Sequence, residues 1–543
     1  MGLSYTGYDF LGRTKVPTST TFDDFFGAVD ADGRRTFNVA PFNPNYIAGF
    51  IQDKFTFKDI IFRLGVRLDY YDANTQVLRD PFSFAEIESA EQFFARNGDL
   101  DRPASIQDDY KVYVSEDGGQ NIVGYRQGEQ WFTPSGTATE GNLLFGGGLV
   151  FPSFVEREEL RRDPQFFDRT VDSDGNVTID RFDPNVAFQD YDPQLNIMPR
   201  LAFSFPINDD AGFFAHYDIL VQRPSSGTSS ATPLDYFFFQ NVGRFSPAQN
   251  PDLRPERTID YEVGFQQKIS SSSAIKISAY YKELRDLIQR RTFTFVPTIS
   301  AYETFSNIDF GTIRGLAFNY DLRRTKNFQL NVTYALQFAN GTGSGANSAA
   351  GINRNRNIRS LLPLSNDERH SLTIIGDYRF GSGQGPSLGG INFLENFGAN
   401  LLINAISGRP YTTFNTVNTP TGAAIIEAIN ETRLPWVFRA DLQLDKTFNF
   451  SLSEESKRKL FVNVYLRVQN LFDLDNIVNV YPFTQSADDS GWLSTGLGEA
   501  ALNSAVANGF TEENYLSSFA WRILAPDNYA PPRQIFLGAI VNF

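Results

Sequence analysis

The sequence alternates apolar and polar residues with a period of two, and it does so in many separate segments. The clearest segment is 327–340, where every second residue from Phe328 to Phe338 is apolar and polar residues such as Gln329 and Asn331 lie between them. Successive side chains of a β-strand point to opposite faces of the sheet. The pattern therefore predicts strands that contact an apolar medium on one face and a polar medium on the other.

Thirteen segments show this alternation clearly enough to be predicted as strands. They are 46–57, 60–70, 194–206, 211–223, 259–265, 275–281, 316–322, 327–340, 372–380, 397–403, 438–444, 459–475 and 535–543. A weaker candidate covers residues 3–11. Several segments exceed the roughly five or six residues of an ordinary strand. We therefore expect an all-β, antiparallel chain of 13 or 14 strands.

The connections between these segments alternate strictly between long and short. The long connections are 74–192, 224–256, 292–304, 341–366, 410–433 and 476–531. The short connections are 58–59, 208–210, 270–273, 324–326, 381–390 and 451–457. Bacterial outer-membrane barrels have short periplasmic turns and long extracellular loops. The sequence therefore predicts a transmembrane β-barrel whose longest extracellular loop is 74–192.

Composition supports this prediction and excludes several other classes of protein. The chain has 52 Phe and 23 Tyr, as expected where an apolar outer face is flanked by aromatic residues at both membrane interfaces. No run of about 18 apolar residues is present, so helical membrane spans are not expected. The net charge of -15 argues against a nucleic-acid partner. Because the chain has no cysteine, disulfides and thiolate metal sites are excluded.

Two other folds explain part of the pattern. A water-soluble all-β protein also has strands with a period of two, but it has no reason to sort its connections by length. A repeat solenoid would show a fixed spacing between segments, and these segments have none. A membrane barrel explains both the alternation and the order of the connections.

Short motifs in the chain resemble those of TonB-dependent receptors. Tyr46–Phe55 (YIAGFIQDKF), followed by Phe62–Tyr70 (FRLGVRLDY), is similar to a pair of strands in that family. Asn250–Glu256 (NPDLRPE), which leads into Tyr261–Phe265 (YEVGF), is similar to a second element, and Val468–Asp473 (VQNLFD) to a third. The motifs are most similar to those of Bacteroidetes-type receptors with an N-terminal carboxypeptidase-like regulatory domain.

The resemblance covers residues 40–543 and implies a barrel of 22 strands with an N-terminal plug inside it and a segment that engages TonB. The plug and the first strands are not found in this sequence, and its start shows no signal peptide. We therefore expect residues 1–543 to be the C-terminal part of the barrel. A second chain or an N-terminal half would complete it, because an open sheet edge is not tolerated in lipid.

The resemblance also implies a function. Such a receptor would lie among the lipids of the outer membrane of a Gram-negative bacterium and take up a large nutrient ligand with energy supplied by TonB. It would not be an enzyme, and it would engage TonB through the part that precedes this sequence. A surface lipoprotein would be a further partner. The alternatives are a structural or scaffold barrel in a secretion or surface assembly, and a passive channel.

Aromatic residues in the two longest loops of the N-terminal half are the candidates for ligand binding. They are Tyr110, Tyr113, Tyr125, Trp131, Phe132, Tyr236 and Phe237. Exposed rings would stack on sugars or on peptide side chains. The alternative is that the same rings pack on one another as the core of a loop or lid, and the sequence alone does not distinguish these two structures.

The segment 172–180 is a candidate calcium site. The oxygen ligands that Ca²⁺ prefers would come from Asp172, Asp174, Asn176 and Asp180. However, its glycine stands at the fourth position rather than the sixth, and no glutamate follows at the twelfth. An Asp-Gly hairpin turn explains the segment equally well, and no other cofactor is expected.

The C-terminal end of the chain is a candidate assembly signal. Phe543 follows a strand in which Leu537 and Val541 lie on the same apolar face. A terminal phenylalanine of this kind suits the signal that the barrel-assembly machinery reads. The alternative is that the last strand simply ends there.

The polar residues inside the predicted strands suggest structural roles rather than catalysis. His216 and Asp218 lie on one face of a strand, where a polar pair facing the lumen explains them better than a reaction does. With two histidines and no cysteine, neither a Ser-His-Asp triad nor a zinc site is predicted. Gly65 and Gly264 lie within strands, where glycine marks a bend or a close approach of another group.

Overall fold

The structure is a computed structural model, and its centre is one antiparallel sheet. It describes residues 7–542 except 9–14, 18, 22–23, 26–27, 34–35, 42, 85, 116–119, 147–148, 155–168, 172–176, 180–186, 231–234, 236–246, 298, 349–359, 416, 418–427 and 452–458.

Within these residues, thirteen long strands follow one another in the sheet, and each pairs with the next one along the chain. They are β1 Asn45–Phe57, β2 Ile60–Asp72, β3 Gln194–Asn208, β4 Ala211–Gln222, β5 Glu256–Ser270, β6 Ser273–Val296, β7 Ser300–Thr325, β8 Phe328–Gly341, β9 His370–Arg379, β10 Phe397–Ile406, β11 Val437–Ser451, β12 Lys459–Gln469 and β13 Gln534–Asn542. A two-residue strand, Leu362–Pro363, pairs with β8 off this path.

Each of the thirteen segments predicted as strands overlaps one of these strands, although 459–475 is a strand only as far as Gln469. The all-β antiparallel fold is therefore confirmed. The weak candidate at 3–11 lies mostly outside the described residues, apart from an isolated bridge between Tyr8 and Lys15. Among the described strands, β1 pairs with β2 alone and β13 pairs with β12 alone. A closed cylinder of 22 strands stays a prediction.

The pairing of the strands joins the apolar residues into one continuous face. Leu64, Leu201, Tyr217, Tyr261 and Tyr281 are consecutive cross-strand partners from β2 to β6. The face is not covered by a second sheet, since Leu201 is 44% exposed and Tyr261 is 40% exposed. A water-soluble sandwich would bury such residues in its core. The exposed apolar face is therefore the one that a membrane barrel presents to lipid.

The short connections join the strands at one end of the sheet, as predicted. At the other end, one of the predicted long connections is absent. β6 and β7 have 24 and 26 residues and pair as far as Val296 and Ser300, so the predicted loop 292–304 is wrong. Bulges between Leu284 and Ile288 shift the register of the pair, which changes the phase of the alternation. Beyond the bulges, polar residues such as Arg290 and Arg291 interrupt the two-residue pattern.

The longest connection, residues 73–193, folds into a unit of its own that we call the loop domain. Its helices are α1 (Ala90–Arg96) and α2 (Gly141–Phe145). Its strands are Gln76–Leu78, Lys111–Val114, Ile122–Gln127, Gln130–Phe132, Ala138–Thr139, Phe151–Pro152, Arg169–Val171, Val177–Ile179 and Phe188–Asp190. Five of them form one small sheet, and Gln76–Leu78 pairs with Phe188–Asp190 at the base of the domain.

The other connections contain short elements. Helices α3 (Ser226–Ser229), α4 (Gly496–Ala507) and α5 (Glu512–Ile523) lie in two of the long connections, with single 3₁₀ turns at Trp492–Ser494 and Pro526–Asn528. The two-residue strands are Ser387–Leu388, Ile391–Asn392, Pro410–Tyr411 and Thr432–Arg433. In the part of the chain that the structure describes, no helix has both the length and the apolar character needed to cross a membrane.

The loop domain packs against the outer part of the β6–β7 hairpin. The ring of Phe293 stacks on that of Tyr302 with centroids 5.4 Å apart and meets Phe82 edge-on at 5.1 Å. The hydroxyl of Tyr302 donates a hydrogen bond to the carbonyl oxygen of Pro81 at 2.7 Å. All of these side chains belong to one buried hydrophobic cluster that also contains Trp131. The hairpin is therefore the support on which the loop domain sits.

Candidate functional site

The face of the sheet opposite the apolar one carries charged and hydrogen-bonding side chains. In its centre, the Lys282 ammonium contacts the carboxylate of Asp260 at 2.7 Å. His216 lies between two carboxylates, with Nδ1 3.7 Å from Glu262 and Nε2 4.0 Å from Asp260. The predicted position of His216 on a polar face is thus observed, but its nearest charged partners are on the neighbouring strand. Asp218 is the cross-strand partner of Arg200 and Asp260.

Towards the short turns, the same polar face borders a cleft of about 960 Å³. Its lining includes Arg63, Phe214, His216, Glu262, Lys276 and Asn319. The ring of Phe214 lies over Gly264, its cross-strand partner, so a Cβ atom at Gly264 would overlap that ring. The close approach predicted for Gly264 is therefore observed, and the neighbour is an aromatic side chain.

The polar face continues across β9–β12. Arg379 binds Asp445 through two hydrogen bonds of 2.8 Å each, and Asn463 donates a further one of 3.1 Å to the same carboxylate. Asp445 is buried. A bidentate arginine–carboxylate pair has fixed geometry, so this half of the face is held rigidly by interactions among its own residues.

At the end of the sheet that faces the loop domain, the polar face carries a cluster of aromatic and charged side chains. The guanidinium of Arg223 lies 4.0 Å from the ring centre of Tyr46 and 5.6 Å from that of Tyr71. The hydroxyl of Tyr46 donates a hydrogen bond to Asp69 at 2.7 Å, and Arg67 pairs with the same carboxylate at 2.7 Å. We call these five residues the mouth cluster.

The mouth cluster is only partly closed. Tyr46 is 40% exposed and Asp69 is buried. Tyr191, from the end of the loop domain, meets Tyr71 edge-on at 6.1 Å. Its hydroxyl is buried without a hydrogen-bond partner among the described residues, and burial raises the pKa of this group. A surface with an accessible ring and paired charges can bind a ligand that has both apolar and hydrogen-bonding groups.

Sequence reasoning missed the mouth cluster because its members come from separate segments. Tyr46 lies on β1, Tyr71 on β2 and Arg223 just after β4, and only the register of the strands brings them together. One signal was present in the sequence. Tyr46 and Tyr71 interrupt the polar phase of their strands with large aromatic rings, which is unusual for residues that face water.

The aromatic residues predicted to bind ligand in the loop domain have a different environment. Tyr110, Tyr113, Tyr125 and Trp131 are buried, and Phe132 is half-buried. Their rings contact one another, as in the Tyr113–Trp131 pair at 4.9 Å and the Tyr110–Phe132 pair at 4.8 Å. Rings in such a core offer no face for stacking on a ligand. The geometry favours the alternative structure, a loop that packs on its own aromatic residues.

A buried arginine organises the centre of that core. Arg126 donates a hydrogen bond to the Tyr113 hydroxyl at 2.9 Å, pairs with Asp80, and lies 4.6 Å from the ring centre of Phe82. Burial raises the pKa of Tyr113 to about 12, although the nearby Arg126 opposes this shift. The polar groups of the core are thus paired with one another and are not available to a ligand.

The remaining candidate residues lie partly or wholly outside the described part of the chain. The calcium candidates Asp172, Asp174, Asn176 and Asp180 and the loop residues Tyr236 and Phe237 are in this group, as is Phe543. The strands beside the calcium candidates, Arg169–Val171 and Val177–Ile179, pair antiparallel. Within the described ranges, no group of three or more metal-binding side chains is present. Leu537 and Val541 are exposed on the apolar face of β13.

Several solved structures are similar to the chain at low identity. The outer-membrane transporter YddB from Escherichia coli has 12% identity and a TM-score of 0.40, with 80% of this chain and 51% of that chain covered. FpvA from Pseudomonas aeruginosa, in complex with iron and pyoverdine, has 11% identity and a TM-score of 0.39, with 91% of this chain and 48% of that chain covered. The FrpB iron transporter from Neisseria meningitidis has 11% identity and a TM-score of 0.38, with 81% of this chain and 42% of that chain covered.

The chain spans about half the length, or less, of these structures, and no curated protein sequence matches it. The family assignment comes from a family model. The model described as "TonB dependent receptor-like, beta-barrel" matches residues 1–471. Proteins of this family are β-barrels of the outer membrane of Gram-negative bacteria. The chain therefore belongs to the TonB-dependent receptor-like β-barrel family and is an outer-membrane protein.

Proposed function

We propose that this protein forms the wall and part of the outer loops of an outer-membrane receptor that takes up a large nutrient ligand with TonB-supplied energy. The mouth cluster is the observation that carries the proposal. It lies on the polar face, at the end of the sheet where the loop domain begins. A ligand that passes from the outer loops into the lumen would meet these residues first.

The chemistry of the mouth cluster suits a mixed ligand. The exposed part of the Tyr46 ring offers an apolar surface, and the Arg67 and Arg223 guanidinium groups offer N–H donors. Aromatic and arginine side chains carry a large share of binding energy in most interfaces. Asp69 holds Tyr46 and Arg67 in place, so the donors are positioned before the ligand arrives.

The proposal includes partners that this chain does not contain. The rest of the barrel and the plug would come from a second chain or an N-terminal half, and contact with TonB would be made through that part. A surface lipoprotein would be a further partner, and calcium bound at 172–180 a further ligand. The protein would have no enzymatic role, in keeping with a family of receptors and transporters.

The experiment identifies the ligand by comparing the compounds that remain in the growth medium. Wild-type cells and cells without this protein are grown in the same complex medium, and the spent media are compared by mass spectrometry. A compound removed by the wild type alone is the candidate ligand. We expect its uptake to fall about tenfold or more in cells with Tyr46→Ala and Arg223→Ala, and to stop in cells without TonB.

A matched control is Arg533→Gln, which removes an exposed arginine at the loop end of β13, far from the mouth cluster along the sheet. This variant should take up the compound normally. Uptake that continues without TonB would support a passive channel instead. If no compound depends on the protein, although it is present in the outer membrane, the scaffold alternative would replace the proposal.

A further inference from the structure

The connection between β12 and β13 contains two helices that pack on little else. α4 and α5 have 12 residues each, and only Gly498 in α4 and Phe519 in α5 are buried. The ring of Phe519 stacks on that of Trp492 with centroids 5.4 Å apart. A helix of this length is marginal in water unless one of its faces packs against a neighbour. We call α4 and α5 the helix pair, and its stability requires more contact than these residues provide.

The outward side of the helix pair is apolar. On α5, Leu516 and Ala520 are four residues apart and Leu524 follows at the same spacing, so the three side chains line one exposed face. Trp521 lies beside them and is 76% exposed. The other large exposed side chains of the pair and of its link are Leu497, Val506 and Phe510. Apolar side chains grouped on one exposed surface mark a site of interaction.

The contacts of this connection leave the apolar surface uncovered. Its first part touches a neighbour, since the N–H of Phe414, between β10 and β11, donates a hydrogen bond to the carbonyl oxygen of Pro482 at 3.4 Å. The helix pair is held from within its own connection, where the hydroxyl of Tyr481 donates to the carbonyl oxygen of Ile523. Among the described residues, no hydrogen bond, ion pair or aromatic contact joins the helix pair to a segment outside 470–533.

The direction of the strands indicates where a covering segment would come from. Each strand of the wall pairs antiparallel with the next, so the first and the thirteenth run in the same direction. β1 and β13 therefore cannot complete each other's ladder in an antiparallel barrel. Because an open edge is not tolerated in lipid, a further strand has to pair with β13. That strand would run from the short turns to the long connections and emerge beside Gln534, where the connection that carries the helix pair enters β13.

We propose that the helix pair docks on the outer segment that follows this further strand, with Leu516, Trp521 and Leu524 as its apolar contacts. The inference rests on the proposed function, because the completed barrel supplies the strand. The position of the segment favours it over a separate protein or a second copy of the chain. It begins at the sheet edge beside the helix pair, and the ladder already holds it there, so contact costs little further orientational freedom. Docking would join the two ends of the wall at the outer rim.

The experiment uses photocross-linking of the complete receptor in outer membranes. One variant carries p-benzoylphenylalanine in place of Phe536, which is half-exposed on β13, and this probe marks the strand that pairs with β13. A second variant carries the same probe in place of Trp521. The cross-linked peptides are identified by mass spectrometry after irradiation. We expect the probe at Trp521 to cross-link to the segment that directly follows, in the sequence, the strand reached from Phe536.

The matched control is a probe in place of Leu143, which is similarly exposed but lies in the loop domain. It should not reach that segment. Cross-links from Trp521 to a surface lipoprotein or to a second copy of the chain would overturn the docking inference and leave the proposed receptor intact. The same holds if the probe at Trp521 reaches nothing while the probe at Phe536 finds its strand. If the probe at Phe536 finds no strand in membranes that contain the protein, the completed barrel and the docking inference both fail.

Hydrogen exchange gives a second measurement that does not depend on the probes. Trp521→Ser combined with Leu524→Ser should raise the rate of amide exchange in α5 about tenfold or more, because docked apolar side chains stabilise the helix. Leu143→Ser should leave the exchange of α5 unchanged. Equal exchange of α5 in the double variant and the wild type would show that these side chains are not covered, and the proposal would be wrong.

Discussion

Arg291 on the outer part of β6 binds both carboxylate oxygens of Glu129 in the loop domain, although the two residues are 162 positions apart in the sequence. The Nη2–Oε2 distance is 2.7 Å. The pair lies beside the hydrophobic contact between Phe293 and Tyr302. Two kinds of interaction thus connect the loop domain to the hairpin, and they differ in how much they contribute to stability.

The hydrophobic contact should dominate this connection. Phe293 is buried between Tyr302 and Phe82, so Phe293→Ala is expected to destabilise the loop domain by about 3 to 5 kcal/mol. Hydrogen exchange measured by mass spectrometry should show faster exchange in Lys111–Val114 and Ile122–Gln127. The strands of the wall other than the outer part of β6 and β7 should exchange as before, since their ladders do not depend on this ring.

Arg291→Gln is the matched control for Phe293→Ala. Glu129 is largely exposed, and an exposed ion pair contributes about 1 kcal/mol or less. Exchange in the loop domain should therefore change little. Equal effects of the two substitutions would show that the charged pair, and not the aromatic contact, holds the domain.

A second prediction concerns the ring that covers Gly264. Gly264→Ala places a methyl group where the ring of Phe214 lies, so the ring must leave its position under Lys276. We expect the free energy of unfolding to fall by about 1 to 3 kcal/mol. The measurement is the temperature at which heating changes the mobility of the barrel in gel electrophoresis, and this temperature should be lower in the variant.

Two further variants test the reason for that loss. Gly49→Ala on β1 has no atom within 4 Å of the added carbon and should leave the transition unchanged. Phe214→Ala combined with Gly264→Ala should be no less stable than Phe214→Ala alone, because the overlap is then absent. An additive loss in the double variant would mean that the backbone at Gly264, rather than the ring, resists the methyl group.

A third prediction follows from the two buried tyrosines of the loop domain. Burial raises the pKa of Tyr113 and of Tyr125 from 10.0 to about 12. The folded domain therefore favours the neutral phenols. The stability that this preference contributes is complete below pH 10, where both states are protonated, and is lost as the pH rises through about 12.

Near-ultraviolet circular dichroism should show the loop domain losing its aromatic signal in this alkaline range. Far-ultraviolet circular dichroism should show that the strand signal of the wall persists. Replacing both tyrosines, by Tyr113→Phe and Tyr125→Phe, should make the transition less steep in pH. A transition of unchanged steepness in that variant would assign the effect to other groups.

The fourth prediction concerns assembly. Leu537 and Val541 are exposed on the lipid side of β13, and Phe543 follows them. Deletion of Phe543 should lower the amount of protein in the outer membrane if this residue is part of the assembly signal, whereas Gln534→Ala at the other end of the strand should not. Immunoblots of membrane fractions measure this, and normal levels after the deletion would support a simple strand end.

The strands were predictable because two solvents impose their pattern. Each wall strand faces lipid on one side and water on the other, so the sequence records the fold with a period of two. The outer half of the β6–β7 hairpin was not predictable in this way. There the bulges near Leu284 and Ile288 shift the register, and water and the loop domain replace the lipid.

The candidate site was less predictable than the fold. The sequence shows which residues are aromatic but not whether their rings are exposed or buried. For Tyr113 and Trp131, only the contacts in the structure distinguish these two possibilities. The contact between Tyr46 and Arg223 depends on the order of four strands. No local pattern encodes such a contact, because it arises from pairing between distant segments.

The paired ladder of β6 and β7 extends beyond the wall without a loop between its two parts, with partners from Ile288 and Asn307 to Val296 and Ser300 in its outer part. A movement of the loop domain away from the wall would have to bend or unzip this ladder. The loop domain is therefore coupled to the wall by paired backbone as well as by its aromatic contacts.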